Sequence, residues 1–374
     1  MTDNIQQKRA AAALKNIFVA DALAMPVHWY YNPLDIERAF PGGITRFEAA
    51  PEYHPSSIMS LHSTAKGGRG QQKYDQHQRQ IIGDVILKGR RESWGIPNQH
   101  YHQGMQAGEN TLNAHCARVI IRSLTATGGY YHKDHFLDDY IAFMTADPPL
   151  HPDTYAESYH RGFFANLDAG KPKDRCAAVT HDTPSIGGLV TIAPILLAGQ
   201  LLGRSLLEVR EQCLEHLFLT HPDKTLGHIC TIYTELLETL LFCDQEQSPR
   251  ELLARAAKAS VGLDLPTLVR KSSDDRQVVG GLFSSACYID GSWPSVLYLA
   301  YKYSSDQRRA LLVNTNLGGD NVHRGIVLGT LLGLINAATI HEWFDQLVDH
   351  QQLVGEIDAL LKMKDQSPAE GQQE

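Results

Sequence analysis

The segment with the most unusual chemistry is a polar, glycine-rich loop that runs directly into an apolar helix near the C-terminus. This loop, residues 314–325, contains Gly318, Gly319, Asp320 and His323. Backbone amides at a loop–helix junction can bind an anion, and carboxylate and imidazole groups are both competent metal ligands. We therefore expect Gly318 and Gly319 to contact an anionic ligand, and Asp320 and His323 to hold a cation.

Two other segments place acids, amides and imidazoles at the ends of helices. An apolar helix that ends at Pro26 carries Asp21 and is followed by His28, while Glu109 and Asn110 come just before another helical segment. The oxygens of Glu109 and Asn110 could bind a hard cation. The alternative is structural, because helix ends favour such residues through the helix dipole and the free amides. The residues alone leave both interpretations open.

A glycine pair before a buried helix is a further candidate. Ser185, Gly187 and Gly188 precede the apolar segment 189–202, and their backbone amides could bind a diphosphate. A second glycine cluster, at residues 67–70, is not followed by Gly-Lys-Ser or Gly-Lys-Thr and so does not form a P-loop. We predict a diphosphate contact for the first cluster and a flexible loop for the second.

Helices must position these residues, because helical start signals and helical periodicity dominate the chain. Ser205 and Ser248 begin segments with the spacing of a capping box, and residues 325–338 are apolar nearly all round. Residues 81–87 are the best strand candidate, and they form a short segment. We expect an all-α, single-domain fold that covers residues 5–362.

Two regions depart from the helical pattern. Residues 41–104 are rich in Gly, His, Gln and Pro, and such a long excursion could act as a lid that selects the substrate. It contains five histidines, one of which could bind a metal, although surface or hydrogen-bonding roles are commoner: His54, His62, His77, His100 and His102. Residues 363–374 form a polar tail that we expect to be disordered.

The bulk composition narrows the choice of partners and compartment. The 374 residues are 43% hydrophobic and carry a formal net charge of -8, and the interspersed charges argue against nucleic acid as a partner. The six cysteines form no Cys-x-x-Cys pair and are typical of reduced core residues. Residues 1–9 lack the apolar segment of a signal peptide, and residues 325–340 fall short of the ~20 residues of a membrane span. We expect a cytoplasmic protein without a membrane partner.

The order of these segments resembles the signatures of the ADP-ribosylglycohydrolase family. That family opens with Gly-Asp-Ala-Leu-Gly-x-x-x-Glu, which is similar to Ala-Asp-Ala-Leu-Ala at residues 20–24, with His28 in place of the glutamate. Its Thr-Asp-Asp-Thr resembles Gly-Glu-Asn-Thr at residues 108–111, and its Ser-Asn-Gly resembles Ser-Ile-Gly-Gly at residues 185–188. Its Thr-His-Pro recurs at residues 220–222.

The closing family signature is Gly-Gly-Asp-Thr-Asp-Thr, followed by a helix rich in Gly and Ala. Residues 318–320 match it, whereas Asn321, Val322 and His323 depart from it. The similarity spans about residues 11–338. It implies an orthogonal helical bundle with a central cleft, and hydrolysis of the bond at the anomeric carbon of ADP-ribose. The implied partner is an ADP-ribose-type small molecule or an ADP-ribosylated protein.

The resemblance also implies a divalent cation, magnesium in the family, held in this chain by Glu109, Asn110, Asp320 and His323. Since magnesium prefers oxygen ligands, the nitrogens of His28 and His323 would suit manganese, iron or zinc better. Within this framework Glu109 is the predicted general base and Asp320 orients the ribose hydroxyls. The other predicted ligand contacts are Asp21, His28, Ser185, Gly187, Gly188, Gly318 and Gly319.

Two non-catalytic alternatives stay open at this point. Because Asn110 and Val322 replace family carboxylates, the cleft could bind ADP-ribose or a nucleotide without cleaving it. The chain could also resemble family relatives that serve as lens crystallins, in which the fold matters and the site does not. The retained polar residues at each motif position favour a working site over the crystallin-like alternative.

Overall fold

Two buried helices, α1 (Ile5–Ala24) and α14 (Asn321–Asn336), form the centre of the fold and carry two of the predicted chemical segments. The structure is a computed structural model that describes residues 5–59, 80–244 and 246–363. The glycines of α14 face α1 closely. A Cβ atom added to Gly333 would lie 2.5 Å from the backbone nitrogen of Ala13, so only glycine allows this approach.

We expect Gly333→Ala to lower the free energy of unfolding by about 1–3 kcal/mol, because the added methyl group would force α1 and α14 apart. A Cβ atom at Gly355 meets no atom within 4 Å, which makes Gly355→Ala the matched control. That substitution should be neutral or stabilising by up to ~1 kcal/mol, since alanine is the better helix former. Urea denaturation of both variants measures the difference, and equal effects would contradict the packing argument.

The other helices surround this central pair. In chain order they are α2 (Pro33–Ala39), α3 (Leu112–Ala126), α4 (Lys133–Met144), α5 (Ser158–Asp168), α6 (Ile192–Leu201), α7 (Leu206–Phe218), α8 (Lys224–Phe242), α9 (Pro249–Val261), α10 (Leu265–Lys271), α11 (Asp275–Val278), α12 (Ile289–Lys302), α13 (Gln307–Leu317), α15 (His341–Phe344) and α16 (His350–Leu361). Helices α12 and α13 pack on α14, α3 and α16 pack on α1, and α6 to α9 form a neighbouring layer. The prediction of an all-α fold is confirmed.

Several predicted helix starts have the expected local cause. The Ser205 hydroxyl accepts a hydrogen bond from the amide of Glu208 at the start of α7, as a capping box requires. Ser248 precedes α9 and proline occupies the first helical position, but the Ser248 side chain makes no capping hydrogen bond. At α3, Thr111 is the N-cap residue, and its hydroxyl accepts a hydrogen bond from the amide of Asn113.

The strand candidate at residues 81–87 does not form a strand. Gly83 has a φ of +91°, so the chain reverses there, and the amide of Ile86 donates a hydrogen bond to the carbonyl of Ile81. This turn allows the apolar side chains of Ile81, Ile82 and Val85 to be buried. In the described ranges, extended segments pair only through isolated bridges.

The described parts of the excursion, residues 41–59 and 80–104, fold against the core with mostly irregular backbone. Three of its histidines are fully buried: His54, His100 and His102. The predictions for His62, His77, the glycine cluster at 67–70 and the tail from residue 364 onward lie outside the described residues.

One helical segment is long and apolar enough to cross a membrane by length and composition alone. It spans Ile5–Val27 and therefore includes α1, and 89% of its most apolar window is buried inside the fold. The burial fits a core helix, because α1 packs along α14 at the centre of the bundle.

Candidate active site

The end of α1 and the start of α14 meet through a buried cluster of two histidines and one aspartate. Nε2 of His28 lies 3.0 Å from Oδ1 of Asp320, and Nδ1 of His323 lies 2.6 Å from the same oxygen. All three side chains are at most 3% exposed. The second carboxylate oxygen of Asp320, Oδ2, is buried without a hydrogen-bond partner. The structure therefore brings together these two segments, which are distant in the sequence.

The cluster continues on the His28 side into the excursion. Nδ1 of His28 lies 2.8 Å from Nε2 of His102, and Nδ1 of His102 lies 2.8 Å from Oδ1 of Asp153. Asp153 is fixed in turn by the backbone amides of Leu112 and Tyr155, which donate to its two oxygens. These contacts connect the start of α3 with the end of α1.

On the other side the cluster reaches Glu157, which directly precedes α5. Nε2 of His323 lies 3.4 Å from Oε1 of Glu157, and the Asn113 amide donates a 3.0 Å hydrogen bond to the same oxygen. The 3.4 Å contact falls short of hydrogen-bond geometry, since Nε2 of His323 has no hydrogen-bond partner, so the pair attracts mainly through charge. Oε2 of Glu157 is also buried without a hydrogen-bond partner.

We call the series Asp153, His102, His28, Asp320, His323 and Glu157 the histidine–carboxylate chain. Its acidic groups determine the charge of its histidines. Burial opposes a charged His323, but the attraction of Asp320 and Glu157 outweighs burial and raises the pKa of His323 to about 10. Burial likewise opposes a charged His102, and Asp153 raises the pKa of His102. Burial lowers the pKa of His28 to about 3, so this ring is neutral.

The three carboxylates of the histidine–carboxylate chain are ionised. Burial opposes this, but charged histidines and hydrogen-bond donors hold the pKa values of Asp153, Glu157 and Asp320 below their usual range. Three ionised carboxylates outnumber the charged imidazoles, so the buried group carries a net negative charge. Such a group would stabilise positive charge that develops on a nearby ligand.

A cleft of about 260 Å³ opens at the Glu157 end of this chain. Glu157, His323 and Ser185 form part of its lining, and no lysine or arginine lines it among the residues that the structure describes. Half of the other lining residues are aromatic: Trp29, Tyr31, Tyr101, Tyr155, Tyr159 and Tyr288. The cleft therefore offers flat aromatic surfaces beside the pair of Glu157 and His323, and Asp182 is a second carboxylate in its lining.

Trp29 joins the aromatic wall to the histidine–carboxylate chain. Its ring stacks on that of His28 with centroids 3.7 Å apart, and it meets Tyr101 edge to face at 4.6 Å. Trp29 has a φ of +62°, an unusual conformation for a bulky residue, and its amide donates to the carbonyl of Gly319. The surrounding contacts thus hold this strained residue where it orients His28.

Asp21 and Asn110 lie close together, but they contact each other rather than the cleft. Asp21 accepts hydrogen bonds from the Asn110 amide and from both the backbone amide and the hydroxyl of Thr111. Burial raises the pKa of Asp21 to about 6 in spite of these donors. Neither residue lines the described cleft, so this contact clamps α1 to the start of α3.

Glu109 lies apart from the histidine–carboxylate chain. Its side chain is only partly buried, and its Oε2 accepts a 2.7 Å hydrogen bond from the backbone amide of Gln106. It belongs neither to the cleft lining nor to the described group of metal-competent side chains. Its predicted roles as base and metal ligand are therefore not supported by proximity.

The predicted anion-binding glycines fall into two groups. The amides of Gly318 and Gly319 donate to the carbonyls of Thr315 and Tyr30, so neither is available to an anion. The expected anion contact at these two glycines is corrected accordingly: both have a positive φ, and they shape the loop that presents Asp320.

The second glycine group lies at the cleft. Ser185 lines it, and a Cβ atom at Gly187 would lie 3.5 Å from Nε2 of His323. The amide of Gly188 donates to the Ser185 carbonyl, within the turn that opens the 3₁₀ helix Ile186–Leu189. Ser185 and Gly187 are thus beside the histidine–carboxylate chain, while Gly188 supports the turn.

Sequence reasoning missed Glu157 and Asp153, and it named His102 only as one of five histidines in the excursion. Residues 153–157 carry no recognisable motif, and their partners are far away in the sequence. The available signal was the density of histidines at residues 100–102. The other two described histidines of the excursion bond to the backbone, since the rings of His54 and His100 contact the carbonyls of His28 and Pro26.

The donor atoms at His28, Asp320 and His323 lie within 4.8 Å of one another and could hold a metal ion. Two imidazoles and one carboxylate fit magnesium poorly, because magnesium prefers oxygen ligands. They fit manganese, iron or zinc, and the unpartnered Oδ2 of Asp320 provides a free ligand atom. A cation at this place would replace the hydrogens that His28 and His323 direct at Asp320.

Comparisons with known proteins agree with the all-helical fold. The sequence matches the family described as ADP-ribosylglycohydrolase over residues 1–370. A solved structure described as an ADP-ribosylglycohydrolase-related protein complex shares the fold, with a TM-score of 0.58 at 16% identity, over 96% of this chain and 98% of that chain. No curated protein sequence matches the chain. Since the family match covers nearly the whole sequence, the chain belongs to the ADP-ribosylglycohydrolase family.

Proposed function

We propose that this protein hydrolyses the glycosidic bond at the anomeric carbon of ADP-ribose, or of a related nucleoside diphosphate sugar, attached to a protein or small-molecule acceptor. The family is of the hydrolase type and acts on ADP-ribosylated substrates. The observation that carries the proposal is the buried histidine–carboxylate chain, whose last member, Glu157, opens into an aromatic cleft.

Glu157 is the group best placed to act as general base. Asn113 and His323 hold its Oε1, whereas its Oε2 has no hydrogen-bond partner and lies 3.7 Å from Nε2 of His160. In the proposed reaction the Glu157 carboxylate orients the attacking water and accepts its proton as the water adds to the anomeric carbon. The bond to the acceptor breaks at the same time, and the acceptor leaves with the electron pair and takes up a proton from solvent. This proposal moves the role predicted for Glu109 to Glu157, because Glu109 lies outside the cleft lining.

The charge of the histidine–carboxylate chain suits the proposed reaction. Glycoside cleavage passes through a state in which the sugar ring resembles an oxocarbenium ion. The histidine–carboxylate chain is buried and carries a net negative charge. This charge would stabilise the positive sugar ring of the transition state more than the neutral sugar of the ground state. The aromatic wall would exclude water around the sugar and provide faces on which a base can stack.

Two predicted ligand contacts remain in the proposal. Ser185 and Gly187 lie beside His323 in the cleft, where the start of the 3₁₀ helix Ile186–Leu189 could contact the diphosphate. Asp320 acts by holding His28 and His323 in place rather than by touching the sugar. Asp21 and Asn110 stabilise the fold around the site.

Family members are typically dependent on a divalent metal ion. We infer that His28, Asp320 and His323 would hold such an ion here, and that manganese, iron or zinc suits these ligands better than magnesium. When bound, a cation of this kind polarises hydroxyl groups and water next to it. His28 and His323 would orient it, and Trp29 would keep the His28 ring in place.

The metal assignment makes a prediction that removal and re-addition of ions can check. Protein stripped with a chelator should recover activity with manganese, iron or zinc at micromolar concentration, and should recover far less with magnesium. The rate of product release after each addition ranks the ions by the activity that they restore. Full recovery with magnesium alone would contradict the inferred ligand set.

The activity itself is tested by incubating the purified chain with proteins ADP-ribosylated on arginine or serine, under several divalent ions. Release of free ADP-ribose, measured by chromatography, is the expected result. Binding of ADP-ribose without release would favour a non-catalytic binding protein, and the absence of both would favour a structural role. A cytoplasmic location, without nucleic acid or membrane partners, stays a prediction.

A further inference from the structure

A second histidine, His102, contacts the ring nitrogen of His28 that points away from Asp320. The rings of His28 and His102 are coplanar to within 3°, and Nδ1 of one lies 2.8 Å from Nε2 of the other. A hydrogen bond in the ring plane follows the direction of the nitrogen lone pair. Only one hydrogen fits between these two nitrogens, so the positions of the hydrogens on the two rings are linked.

His102 is itself immobilised. Its Nδ1 lies 2.8 Å from Asp153, its backbone amide donates to the His100 ring, and its side chain is fully buried. Asp153 is held by two backbone amides, those of Leu112 and Tyr155. Asp153, His102 and His28 are therefore held in fixed positions and shielded from solvent, unlike a histidine on the protein surface.

We propose that Asp153 and His102 form a positioning dyad that presents Nε2 of His28 as a metal ligand at the site shared with Asp320 and His323. A histidine that binds a metal through Nε2 keeps its hydrogen on Nδ1. His102 can accept that hydrogen at Nε2 only when its own hydrogen is on Nδ1, where Asp153 accepts it. When an ion replaces the hydrogen on Nε2 of His28, the dyad thus accepts the hydrogen on Nδ1 and keeps Nε2 directed at the ion.

This inference rests on the divalent site of the proposed function, but its test does not require hydrolysis. We would measure the affinity of the full chain for Co²⁺ by chelator competition, and record its visible absorption. His102→Leu should weaken binding about 10- to 100-fold, in line with the loss of a group that orients a metal-binding histidine. His102→Gln should bind within a few-fold of wild type, because its amide can still accept from His28 and donate to Asp153.

His115→Leu is the matched control. His115 is also a buried histidine, on α3, and lies outside the histidine–carboxylate chain. Its replacement should leave the affinity and the spectrum unchanged. Equal loss in His102→Leu and His115→Leu would overturn the proposal, since it would show a general effect on folding.

A measurement on wild-type protein covers the case in which His102→Leu does not fold. In ¹⁵N-histidine-labelled protein saturated with Zn²⁺, the ring shifts should show hydrogen on Nδ1 of both His28 and His102. Hydrogen on Nε2 of His28, or no response of His28 to Zn²⁺, would overturn the proposal. Either result would leave the hydrolase proposal to be decided separately by release of ADP-ribose.

Discussion

Glu157→Gln is expected to lower the kcat for release of ADP-ribose by about 10²-fold or more, the range of general-base contributions. The amide is nearly the same size as the carboxylate and can still accept a hydrogen bond from Asn113. It cannot accept the proton of water, and it removes one negative charge from the histidine–carboxylate chain. Steady-state kinetics on an ADP-ribosylated substrate measure the loss, which should appear in kcat rather than in KM.

Glu109→Gln is the matched comparison, because it makes the same chemical change at the residue that the sequence favoured as base. The Glu109 carboxylate accepts a hydrogen bond from the Gln106 amide in a local turn, away from the cleft lining. We expect its activity to stay within a few-fold of wild type. A large loss in Glu109→Gln with full activity in Glu157→Gln would restore the sequence-based assignment and refute ours.

Acid should unfold this protein at an unusually high pH, because it buries many neutral histidines. Away from the candidate metal ligands, burial lowers the pKa of His115 to about 4, and those of His151, His216 and His221 to about 3. In the unfolded chain these groups titrate near pH 6.5. Between these values the unfolded state binds more protons than the folded state, so stability is present above pH 6.5 and is lost as the pH falls.

The expected size of this effect is large. Each such histidine lowers the free energy of unfolding by about 1.6 kcal/mol between pH 6.5 and 5, so four of them lower it by about 6–7 kcal/mol. A typical domain has a total stability of about 5–15 kcal/mol. Asp21 acts in the opposite direction, since its raised pKa of about 6 favours the folded state as the pH falls. One carboxyl cannot offset four imidazoles.

Urea unfolding between pH 7.5 and 4.5 measures this dependence directly. The slope of the free energy of unfolding against pH gives the number of protons taken up, and we expect several between pH 6.5 and 5. A flat profile over this range would mean that these histidines are charged or accessible in the folded protein, contrary to their burial.

The sequence predicted the helical framework well because its signals are local. The serine cap of α7 and the N-terminal boundary of α3 depend on residues within one helical turn of each other. The meeting of His28 with Asp320 could be expected from the order of the motifs, since each sits at the end of a core helix. The strand prediction at residues 81–87 failed because Gly83 adopts a positive φ and turns the chain back.

The composition of the site was harder to predict because it depends on long-range contacts. Glu157 and Asp153 come from a segment without a motif, and they become functional candidates only through His323 and His102, which are distant in sequence. Glu109, by contrast, was a candidate from sequence but lies outside the site, because its carboxylate accepts a hydrogen bond from a nearby backbone amide. Local sequence chemistry cannot distinguish a carboxylate that caps a turn from one that faces a cleft.

The most direct measurement is a crystal structure of the protein with ADP-ribose bound. We expect the terminal ribose to lie against the aromatic wall, with its anomeric carbon close enough to Glu157 for one water molecule to fit between them. A ribose bound beside Glu109, or a nucleotide bound outside the cleft that Glu157 and His323 line, would contradict it.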